Sequence, residues 1–139
     1  MRRVAVWGAA LVLGTALAVA PAGARSVAQP SALPDCAGKP VVRPASVVLT
    51  CADAGFTVHS LKWTGWGETF AAARGIESVN DCKPYCAAGH FHSYPVVIVA
   101  GGSQRCPSGV TAYANVTVSF LAKNPTIQAK PLSWPFRCR

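Results

Sequence analysis

The chain has 139 residues, about half of them hydrophobic, with 13 Lys and Arg against 5 Asp and Glu and a net charge of +8. Its basic residues are scattered and form no run, which excludes the charged stripe of a nucleic-acid binder; a diffuse attraction to anionic wall polymers is the most this charge implies.

In chain order the first element is a leader. Arg2 and Arg3 form a basic start, Val4 to Ala20 are apolar and uncharged, and Pro21 closes the stretch. Ala22-Gly23-Ala24 meets the small-x-small rule, so cleavage is expected after Ala24, with Ser26-Val27-Ala28 as a second option. The apolar stretch falls short of the ~20 residues that span a bilayer. Cleavage takes the net charge from +8 to +6 by removing Arg2 and Arg3. Residues 25–35 read as a flexible lead-in, and 36–139 as one secreted domain, monomeric, with no membrane contact once the leader is gone.

The next elements are strands. Val47 to Cys51 and Phe56 to Trp63 are β-rich, and Asp53-Ala54-Gly55 between them predicts a hairpin. Apolar residues change phase in the second strand, from Phe56 and Val58 to Leu61 and Trp63, which a β-bulge near His59-Ser60 would produce. Residues 67–79 are ambiguous between helix, strand and turn. Tyr94 to Ala100 is a continuous apolar run, read as a strand covered on both faces, with Pro95 suited to its first residues only. From Val110 to Ala122 the even positions are apolar; Thr111, Tyr113, Asn115, Thr117 and Ser119 fall between them. That is a half-buried antiparallel strand, bent, with one wet face. Ile127 to Trp134 suits an edge strand. Short strands with Gly and Pro turns predict an all-β fold, a small disulfide-stapled antiparallel sandwich or barrel.

Six cysteines in a small exported chain read as disulfides. The order of elements favours Cys36–Cys51, joining the lead-in to the first hairpin strand, and Cys82–Cys86, closing a local loop. Cys106–Cys138 remains, and would tie down the C-terminus.

The candidate sites each have a plainer reading. Cys82, Cys86, His90 and His92 could together hold zinc, but an oxidised pair has no thiolate to offer, and the plainer reading is a staple. Lys83-Pro84-Tyr85 would then turn the chain to the ~5.5–6 Å Cα separation a bridge prefers. His90 and His92 share one side of an extended segment, and with His59 three imidazoles could hold zinc or copper. No acidic partner for these histidines can be named from the sequence, and solvated or hydrogen-bonding roles are the plainer reading. Trp63 and Trp66, beside glycines, could stack sugar rings; the plainer reading is one core tryptophan and one packed on a loop or disulfide. No nucleophile elbow, phosphate-binding loop or carboxylate pair is legible. No cofactor or catalytic residue is therefore expected.

Pro44, Cys51-Ala52-Asp53, Leu61-x-Trp63-x-x-Trp66-Gly67, Asn80-Asp81-Cys82-x-Pro84-x-Cys86-Ala87-x-Gly89 and Tyr94-Pro95-Val96 resemble the pattern of a family of small secreted actinobacterial proteins. The resemblance covers about residues 36–100. It implies export, disulfides and a bacterial source, and carries no catalytic residue across.

The expectation is a secreted, non-enzymatic binding module in the medium or at the cell envelope. Its surface would include Trp66, Tyr85, His90 and His92, and its partner would be a wall glycan or a secreted protein. One alternative is a metal-dependent hydrolase using His59, His90 and His92; another is a secreted protease inhibitor presenting the Cys82–Cys86 loop.

Overall fold

A computed structural model describes residues 28–67, 69–122 and 131–139. The expected leader, its cleavage after Ala24 and residues 127–130 of the expected edge strand lie outside the described residues.

Among the described residues there are ten strands: β1 (Leu33–Pro34), β2 (Pro40–Val41), β3 (Val47–Val48), β4 (Phe56–Thr64), β5 (Ala71–Asn80), β6 (Phe91–Gly101), β7 (Gln104–Arg105), β8 (Thr111–Ala112), β9 (Asn115–Phe120) and β10 (Leu132–Pro135). Six form one antiparallel sheet in the order β10-β9-β6-β5-β4-β3, with β1/β2 and β7/β8 as short ribbons beside it. The chain is all-β and disulfide-stapled, and its sheets curl into a half-barrel.

The period-2 pattern decides which side is inside. Val58 on β4, Ala71 and Ala73 on β5, Val96, Ile98 and Ala100 on β6, and Val116 and Val118 on β9 all turn inward and are buried. Each larger side chain among them contributes roughly 1.5–3 kcal/mol on burial. Leu33 and Phe136 close over the same core. The phase change in β4 is a bulge: its register with β5 shifts between His59 and Lys62, Ser60 has φ 56, and Leu61 returns inward. Glycine is required opposite it, because a Cβ on Gly75 would lie 2.8 Å from His59 O and from Leu61 Cδ2.

Four expectations need correction. The lead-in is part of the fold from Ser31 onward. Leu33 is 1% exposed, β1 pairs with β2, Ser31 N–H donates to Thr111 O, and Tyr113 N–H donates to Ala32 O. Short, proline-flanked segments resemble linkers until an apolar residue such as Leu33 finds a core. The apolar run of β6 is covered on one face only: Val96, Ile98 and Ala100 are buried, whereas Val99 is 37% exposed, since a single curled sheet has an open outer face. Pro95 is in mid-strand, opposite Ile76. Its carbonyl accepts from Leu121 N–H, so its nitrogen also faces the β9 side, where the ladder stops at Phe120 and no donor is needed. Tyr113 is fully buried rather than on a wet face. The strand breaks at Tyr113-Ala114 between β8 and β9, and the break turns the ring into the core.

Residues 71–80 of the ambiguous stretch are strand β5, the centre of the sheet with β6. The C-terminal segment is an edge strand, β10, paired with β9.

Candidate functional site

The β5–β6 hairpin outruns β9 on one side, while on the other β4 flanks β5 as far as Val79, and Asn80 N–H donates to Gly55 O. β5 and β6 pair out to Asn80 opposite Phe91, whereas β9 meets β6 only from Val96 onward. The loop at residues 81–90 therefore forms the tip of this hairpin, past the end of β9.

Cys82 and Cys86 are bridged there, with Cα atoms 3.7 Å apart, closer than the expected ~5.5–6 Å because one tight turn separates them. Asn80 ties both: its Nδ2 donates to Cys86 O at 2.7 Å, and its Oδ1 accepts from Cys82 N–H at 2.9 Å. Asp81 Oδ1 accepts from His90 N–H at 2.9 Å and Lys83 N–H at 3.1 Å. Asp81 Oδ2 lies 3.1 Å from His92 Nε2; a carboxylate only accepts, so that nitrogen carries the hydrogen. The His90 N–H first, then the His92 ring and Lys83 N–H, hold the Asp81 carboxyl well below the usual carboxylate range. Main-chain bonds from Asp81 N–H to His90 O and from Ala88 N–H to Tyr85 O complete the bracing. Gly89 leaves room for it: a Cβ there would run into Asn80 Oδ1 and reach 2.8 Å from Cys82 N. Asn80, Asp81, Cys82, Cys86 and Gly89 thus form one device, which accounts physically for their pattern in the sequence.

The braced loop presents Tyr85, 63% exposed, and β6 opens with Phe91, 59% exposed; Lys83 and His90 are also exposed. His92 is half-exposed and held by Asp81. That acidic partner is a correction: the sequence offered none because Asp81 and His92 meet only through the hairpin register. The arrangement offers aromatic rings and positive charge on a fixed backbone. Asp81 is the acid of the loop, and its oxygens are already engaged.

The other sequence candidates lie elsewhere. His59 is on the β4 bulge, opposite Ile76, with Nδ1 3.1 Å from Ser60 Oγ; His92 is opposite Val79 farther along β5. Among the described residues, no three His, Cys, Asp or Glu side chains are grouped to hold a metal ion. Trp66 is half-buried, edge-on to Trp63 at 4.7 Å and to Tyr113 at 5.4 Å. Its Nε1 donates to Ser31 O and that of Trp63 to Pro44 O. This stack brackets two loops onto the core. Cys36–Cys51 and Cys106–Cys138 are bridged as well, the latter beside a small cluster of Ala32, Cys106 and Ala112.

Sequence reasoning missed Glu77. It is 0% exposed on the inner face, between Val58 on β4 and Tyr94 on β6. Neither carboxyl oxygen has a hydrogen-bond partner among the described residues. Burial pushes its carboxyl up to about 7. The signal was available: once 71–80 is read as a strand, Ala71, Ala73, Glu77 and Val79 share one parity.

Three bridged cysteine pairs fit an oxidising compartment, and no described helix is long and apolar enough to cross a membrane. In comparisons with family models, curated proteins and solved structures, nothing matches this chain.

Proposed function

We propose that the protein is a secreted, non-enzymatic binding module whose contact surface is the braced tip of the β5–β6 hairpin, and whose partner is a wall glycan or another secreted protein. The observation that carries this reading is the combination of a disulfide- and hydrogen-bond-braced backbone and two exposed aromatic rings, Tyr85 and Phe91. A loop fixed before binding loses little conformational entropy on association, and tyrosine is among the residues that dominate binding energy. Lys83 suits a partner surface of negative charge. Export follows from the leader pattern and agrees with the disulfides.

The test is sedimentation of the oxidised protein with purified wall glycan, and capture by proteins of the culture medium. Tyr85→Ala with Phe91→Ala should weaken binding tenfold or more at an unchanged melting temperature. Equal binding by this variant and the wild type refutes the reading. Inhibition of a purified secreted protease, lost with Tyr85→Ala, would instead establish the inhibitor alternative, which the same braced loop favours.

A further inference from the structure

Away from the hairpin tip, residues 33–37 and 44–48 face each other across a slot of about 460 Å³. Five consecutive residues line each wall. Only Leu33–Pro34 and Val47–Val48 of these are strand; the rest of each wall is the turn or loop beside it. On one side lies β3, the outermost strand of the sheet. Val41 and Phe136 supply further apolar surface. The volume lies within the ~300–1,000 Å³ of small-molecule sites, and so does the character, apolar with a few polar groups.

The slot continues into a second hollow of about 180 Å³, with which it shares Asp35, Cys36 and Phe136. Arg137 and Arg139 line this end. The one acid there, Asp35, spends Oδ1 on the N–H groups of Ala37 and Lys39, each at 2.9 Å. One end is therefore apolar, and the other sets two arginines against the single Asp35 carboxylate.

The geometry points to a binding site for a free, single-chain alkyl carboxylate of the fatty-acid class. The chain lies in the slot between residues 33–37 and 44–48, and the head meets Arg137 and Arg139. Apolar walls take the methylenes, and two guanidiniums in a chain of net positive charge take the carboxylate. The volume of about 460 Å³ suits one such chain.

Calorimetric titration of the oxidised full domain with octanoate, decanoate and dodecanoate, each below its micellar concentration, tests this. Affinity should rise roughly fourfold per methylene. Dodecyltrimethylammonium should bind at least tenfold more weakly than dodecanoate. Arg137→Ala with Arg139→Ala should bring dodecanoate down to the level of dodecanol. Val41→Trp should abolish binding by filling the slot; Ala45→Leu, a smaller change, should weaken it if the tryptophan variant fails to fold. The proposal is overturned by absence of saturable dodecanoate binding, by equal binding of cation and anion, or by wild-type affinity in the folded slot variants. Strong protection of the Val48 amide from exchange on addition of dodecanoate also overturns it, since that would mean strand-like pairing at the β3 edge rather than an alkyl chain.

Discussion

Glu77 and Asp81 stand on the same hairpin and meet opposite surroundings. Glu77 is under the sheet with no partner for either oxygen among the described residues. Asp81 is at the tip, where two main-chain N–H groups and a histidine ring surround it. One carboxyl is pushed up to about 7 by burial, and the other is held below the usual range by hydrogen bonds. The difference separates two uses of charge. At the tip, a charge organises backbone that must be both exposed and fixed. In the core, a charge lowers stability, and the apolar packing of the sheet's inner face, from Val58 to Val96 and Ile98, outweighs it.

The largest expected effect comes from the core member of the pair. The unfolded chain ionises Glu77 near 4.5, whereas the folded state does so near 7. Stability is thus fully present below about pH 4.5 and is lost as pH rises through 7. By pH 8 the loss amounts to about 3 kcal/mol. Urea unfolding at pH 5 and pH 8 should show it, and Glu77→Gln should flatten the difference. If the glutamine variant keeps the wild-type pH dependence, the contrast between core and tip fails.

At the tip, Cys82→Ser with Cys86→Ser should cost stability at the low end of the ~2–4 kcal/mol range, because the bridged loop is short. Circular dichroism melts would record this, and proteolysis within residues 81–90 should quicken. Gly89→Ala sharpens the account of the cradle. The added methyl group must displace Asn80 or the Cys82 backbone, for about 1 kcal/mol, and the Cys82 and His90 amides should exchange faster while those of β9 do not. The smallest global effect is expected from Asp81→Asn. Wild-type loop order should hold above the ordinary carboxylate range and be lost as pH falls through the lowered Asp81 pKa, the opposite sense to Glu77. Amide exchange of Lys83 and His90 reads this directly, and Asp81→Asn should lose order at neutral pH too.

Much of this is legible in the sequence. The bulge follows from the phase change between Val58 and Leu61, the disulfide pairs from the order of elements, and the edge strand from proline spacing around Leu132. Glu77 was hidden because Gly75 and Glu77 interrupt the apolar alternation that would have declared β5 a strand. The Asp81–His92 contact was hidden because it exists only once Asn80 is registered with Phe91. Pro95 and Tyr113 depended on where β9 ends and begins, which local pattern does not set. Tertiary pairing, rather than residue preference, decided all four.

The claim that carries the functional reading is that the tip is rigid before any partner arrives. Nitrogen-15 relaxation on the oxidised protein measures it at the amides of Lys83, Tyr85 and His90. Order parameters of about 0.85, equal to those of the β5 and β6 amides, are predicted; values below about 0.6 at these residues would contradict it.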